Sequence, residues 1–155
     1  MSDEAAKGGI KDAIQQAMIA AMRAQDKVRL GIIRLIQNDI KRREIDERVT
    51  LSNDEVIDVL QKMVRQRRES IQQFEKGNRP DLVEKEVFEI EVIQHFLPQS
   101  LPLAELEKYV QEAIREVDAK SVKDISKVMA ILKPKLHGRA DMGEVGGLIK
   151  KHLSS

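Results

Sequence analysis

Apolar side chains recur every three or four residues along almost the whole chain, and nowhere do they alternate as a half-buried strand requires. That period restricts the chain to an all-α fold. Ile10, Ala13, Ile14, Ala17, Met18 and Ala21 mark one face of a first helix. Asp26 is placed to cap a second, which carries Val28, Ile32, Ile33, Leu35, Ile36 and Ile40. This surface is wider than one stripe and predicts a helix central to a bundle. Ser52-Asn53-Asp54-Glu55 has the pattern of a capping box. The third helix behind it carries Val56, Leu60, Met63, Val64, Arg67, Ile71 and Phe74. Gly77 is expected to stop it by turning left-handed. Pro80, at an early helical position, opens a fourth with Val83, Val87, Ile90, Ile93 and Leu97.

Phe96-Leu97-Pro98-Gln99-Ser100-Leu101-Pro102 interrupts the pattern, because two prolines four residues apart remove helical hydrogen bonds. The expected architecture is a multi-helix N-terminal domain, residues 1–97, followed by a small three-helix C-terminal domain, residues 98–155. In the second, Leu103, Leu106, Val110, Ala113 and Val117 mark one helix. Ser121 starts the next, with Val122, Ile125, Met129 and Leu132, and Pro134 is expected to kink or end it. Asp141 is placed to cap the last, with Val145, Leu148, Ile149 and Leu153.

Composition narrows the chemistry. The 155 residues hold 27 basic and 26 acidic side chains, a net charge of +1, so only a local patch can serve a polyanion. Cysteine is absent, which excludes thiol catalysis, disulfides and Cys-ligated metals. Aromatics are 3% and tryptophan is missing, so a base-stacking platform is not supported. No apolar run reaches the roughly 18 residues of a membrane span. Met1-Ser2-Asp3-Glu4 lacks the basic start of a signal peptide. The resulting expectation is a chain with no membrane segment, located in the cytoplasm.

Two cationic clusters are candidate sites. Arg65 and Arg68, three residues apart, share an exposed helix face that can hold phosphates. Arg67 instead falls on the apolar stripe and is expected to pair with a facing carboxylate. The second cluster is Lys133, Lys135, Arg139, Lys150 and Lys151, on a loop and two helix ends. Gly143, Gly146 and Gly147 lie inside the last helix, at about 1 kcal/mol each relative to Ala. Close packing of a neighbouring helix is the expected compensation. Glu91 and His95 are two ligands at most, so no metal site is expected. Ser121, Lys123, Ser126 and Lys127 meet Ser–Lys spacing without an oxyanion loop. No catalytic residue, cofactor or metal is therefore assigned.

The run from Arg65 to Gly77, RQRRESIQQFEKG, resembles a signature of the GatB/YqeY family. Phe96-Leu97-Pro98-Gln99-Ser100-Leu101, Gly138-Arg139-Ala140-Asp141, Asp26-Lys27-Val28-Arg29-Leu30 and Ile33-Arg34-Leu35 also fit, in order. The chain is similar to the freestanding YqeY type. Pro102, and Gly77-Asn78-Arg79-Pro80 in the turn after the third helix, depart from the usual pattern. The resemblance implies kinship with the helical tail of the B subunit of the tRNA-dependent amidotransferase, a carbon–nitrogen ligase using glutamine as amido donor. That tail is implicated in tRNA engagement, while the kinase and glutaminase centres lie elsewhere in the complex. The leading expectation is thus a non-catalytic module that engages tRNA or a tRNA-amidating complex. A helical adaptor for another protein is the alternative, and a stand-alone amidotransferase the third reading.

Overall fold

The computed structural model describes residues 2–154, with side chains from Gly9 to Ser154. It contains α1 (Ser2–Arg23), α2 (Lys27–Glu47), α3 (Asn53–Lys76), α4 (Pro80–Gln94), α5 (Leu103–Glu116), a 3₁₀ turn (Val122–Asp124), α6 (Ile125–Leu136) and α7 (Met142–Ser154). No strand occurs among the described residues, and the fold is all-α. The chain divides into two compact units, Met1–Leu97 and Pro98–Ser155.

In the first unit Asp26 caps α2, accepting from the Arg29 amide. The Ser52–Glu55 capping box closes in both directions. Asn53 does a second job. Gly9 breaks α1 with φ +57°, and the Ile10 amide behind the break donates to Asn53 Oδ1 at 3.0 Å. The left-handed φ favours glycine, and a Cβ at Gly9 would meet that oxygen at 2.9 Å and push the Asn53 side chain off its bond to Ile10. Glu44 ties α1 to the loop before α3, accepting from Lys11 Nζ and from the Leu51 amide. Those two bonds hold its carboxyl below the usual glutamate range.

The core of this unit is Ile14, Ile32, Ile33, Ile36, Val56, Leu60, Met63, Val92, Ile93 and their neighbours. On α2 the buried positions are Ile32, Ile33, Ile36 and Ile40 alone. Val28 and Leu35 are 65% and 45% exposed, so the apolar surface of α2 is wider than the face that packs. Val87 on α4 is likewise exposed. One correction concerns the turn after α3. Gly77 has φ −85°, and the left-handed residue is Asn78, with φ +55°. The Arg79 amide then donates to Phe74 O and the Asn78 amide to Glu75 O, closing the helix one residue later than expected.

Arg67 reaches from α3 to α4. Its Nε donates to Glu89 Oε1 at 2.8 Å and its Nη1 to the Met63 carbonyl at 3.1 Å. The two side chains are 14% and 10% exposed. Glu86, one turn before Glu89, is half-buried, and burial followed by repulsion from Glu89 pushes its carboxyl up from 4.5. A raised carboxyl stabilises the fold below its ordinary pKa, and that gain is lost as pH rises through the folded-state value. Glu86→Gln is therefore expected to raise the melting temperature by about 1–2 °C at pH 7 and to leave it unchanged near pH 3. Thermal melts followed by circular dichroism at the two pH values measure this.

The second unit is smaller. Leu106, Val110, Ala113, Val128, Leu132, Leu136, Val145 and Ile149 form its buried core. Ser121 caps the 3₁₀ turn by accepting from the Lys123 amide, so Val122 stays exposed instead of joining the stripe. Pro134 lies inside α6, near its end. The helix runs two residues further, to Leu136. Gly138, with φ +79°, then turns the chain toward α7.

Candidate nucleic-acid interface

Helix ends and one loop position the cations of the second unit. Leu132 and Leu136 anchor α6 in the core, which leaves Lys133 and Lys135 exposed on its last turn. Val145 and Ile149 anchor α7 in the same way, leaving Lys150 and Lys151 exposed. Lys151 also lies in the last turn, where a cation opposes the helix dipole. Among the described residues none of these four lysines forms an ion pair. Desolvating them for a phosphate therefore breaks no internal contact.

Arg139 is different. It is half-buried in the α6–α7 loop. Its amide donates to Leu136 O, its carbonyl accepts from the Leu101 amide, and its Nε donates to Gln99 O at 3.4 Å. Most of its contacts hold the loop against the segment before α5. The spacing of the motif gave no sign of this, because Gln99 and Leu101 lie some forty residues upstream.

Arg65 and Arg68 belong to the first unit, exposed on the outer face of α3 and without ion pairs among the described residues. Arg67, Arg43, Arg79 and Lys11 of that unit are all committed to carboxylates. The contrast separates structural cations from available ones. Among the described residues no group of three or more His, Asp or Glu side chains is arranged to hold a metal. No described helix is long and apolar enough to cross a membrane.

The α7 glycines overturn a further expectation. A Cβ at Gly146 or Gly147 would meet nothing within 4 Å, and one at Gly143 meets only Asp141 Oδ2 at 3.4 Å. No helix packs closely over them. Alanine should then recover helix propensity at no steric cost. Gly147→Ala is expected to stabilise the second unit by about 0.5–1 kcal/mol in urea denaturation.

The described residues are thus all-helical, with unpaired, exposed lysines at the ends of two short helices of the second unit. Sequence comparison gives the family. The model for "Yqey-like protein" matches residues 11–153, and the chain belongs to the YqeY-like family. It is 38% identical over 111 residues to "Altered inheritance of mitochondria protein 41, mitochondrial" of Kluyveromyces lactis, covering 71% of this chain and 55% of that one. To the protein of that name in Lachancea thermotolerans it is 40% identical over 112 residues, covering 72% and 53%. The chain thus spans about half the length of these curated relatives.

These names correct the expectation of a cytoplasmic location, because the relatives are named as mitochondrial proteins. That expectation rested on the lack of an apolar run long enough to span a membrane and on the lack of a signal-peptide pattern in Met1-Ser2-Asp3-Glu4, neither of which separates one compartment from another.

Proposed function

We propose that this chain is a non-catalytic helical module that engages tRNA through the lysines of its second unit, as an accessory to tRNA-dependent amidation. The observation that supports it is the set Lys133, Lys135, Lys150 and Lys151, exposed and unpaired where the first unit's buried or bridging cations are paired. Recognition would be of phosphate and 2′-hydroxyl groups, without base stacking, since exposed aromatics are scarce. The amidation context comes from the family resemblance alone. Arg65 and Arg68 are a secondary contact in this reading.

Fluorescence anisotropy with deacylated and aminoacylated tRNA tests it. Four phosphate contacts predict that affinity falls about 100-fold between about 50 and 200 mM salt. Saturable binding that prefers tRNA over an RNA duplex of similar length is the expected result. Absence of binding at low salt overturns the reading.

A further inference from the structure

From Lys27 to Lys41 one face of α2 carries only positive and neutral side chains. Lys27, Arg34 and Lys41 stand seven residues apart, so they share that face and span about 21 Å at 1.5 Å per residue. Asn38 lies between the last two, and all four are exposed. From Lys27 to Asn38 the helix holds no Asp or Glu. Among the described residues the three cations form no ion pair. The carboxylates around them in sequence are already engaged. Asp26 caps the helix, Asp39 faces Arg42 at 3.8 Å, and Glu44 accepts from Lys11 and the Leu51 amide.

Amides border this row on the α1 side. A groove of about 410 Å³ opens between α1 and α2, with Gln15, Gln37, Asn38 and Lys41 on its walls. Gln37 Nε2 donates to Gln15 Oε1 at 3.3 Å, which leaves both protons of Gln15 Nε2 for a ligand. The Lys11–Glu44 pair, also on the wall, neutralises itself. Lys41 is therefore the uncompensated charge of the groove, and the cations of α2 continue from it along the helix.

We propose that this row is a second phosphate-binding face, which holds the backbone of an RNA strand. The three cations meet phosphates and the amides meet 2′-hydroxyls. This goes beyond the lysines of the second unit and does not depend on them. Charge complementarity points to a polyanion, since no carboxylate interrupts the three cations. The amides point to RNA, because Gln and Asn both donate to and accept from a hydroxyl. The other side of α2 argues against a lipid surface. Its exposed Val28 and Leu35 share a groove with Asp81 and Glu84, carboxylates that an anionic surface repels.

Amide NMR of the full chain, titrated with an oligouridylate of about 12 nucleotides, tests this. The amides of Arg34, Asn38 and Lys41 are expected to shift saturably. Their Kd weakens about 20-fold between about 50 and 200 mM salt, as three contacts to a single strand predict. K27E/R34E/K41E loses the α2 shifts and keeps its circular dichroism spectrum, because the three side chains are exposed and unpaired. Q15A/N38A still binds but loses the preference for oligouridylate over oligodeoxyuridylate. Shifts confined to α6 and α7 overturn the α2 face and leave the second unit's lysines standing. Shifts confined to α2 support this face and remove those lysines. Equal α2 shifts with polyglutamate or phosphatidylglycerol vesicles, or an unchanged preference in Q15A/N38A, overturn RNA as the occupant.

Discussion

Arg67→Ala is expected to destabilise the first unit by about 3–5 kcal/mol, enough to unfold much of it near physiological temperature. The substitution leaves the Glu89 carboxylate without its 2.8 Å partner at a site where only 10% of the side chain meets solvent. Glu86, one turn away and itself half-buried, adds like-charge repulsion. It also removes the bond from the guanidinium to the Met63 carbonyl. The double variant Arg67→Met with Glu89→Leu removes both charges together and fills similar volume, and it should fall within about 1 kcal/mol of the wild type or above it. Urea denaturation of the full chain at pH 7 measures both. A single variant costing as little as the double would mean that water reaches the pair.

What the sequence revealed of this unit follows from how local each signal is. The Ser52–Glu55 box is complete within four residues, and it forms as read. Arg67 stood out because its position on the 60, 64, 67, 71, 74 stripe demands a carboxylate. Its partner Glu89 did not, since pairing across twenty-two residues depends on how α3 and α4 pack. The same limit explains α2. Val28 and Leu35 match the helical period as well as Ile32 and Ile36, yet only packing decides which apolar residues find a neighbour. Gly77 illustrates a subtler competition, because asparagine also tolerates the left-handed region and Asn78 takes that place one residue later. For the candidate site, residue identity revealed charge but not availability. Lys133 and Arg139 look alike in a list of cations, while one is free at a helix end and the other is bonded to a distant loop.

That difference sets the largest effect expected on function. Lys133→Glu with Lys135→Glu should lower tRNA affinity at least about 100-fold at low salt and reduce the salt slope by about two contacts. Both side chains are exposed and unpaired, so the circular dichroism spectrum and melting temperature should stay close to wild type. Adding Arg139→Glu abolishes binding by removing a third cation, but it also loosens the loop that Gln99 and Leu101 hold. The triple variant therefore reports on two things at once, and the lysine pair is the cleaner test. Lys150→Glu with Lys151→Glu is expected to match it, since both lysines end α7 without partners. Arg65→Glu with Arg68→Glu should cost less, about fivefold, because the adjacent Glu69 already offsets part of that charge. If the arginine pair costs more than either lysine pair, the contact surface belongs to α3 and the assignment to the second unit fails. Anisotropy titrations of the three double variants at two salt concentrations distinguish these outcomes directly.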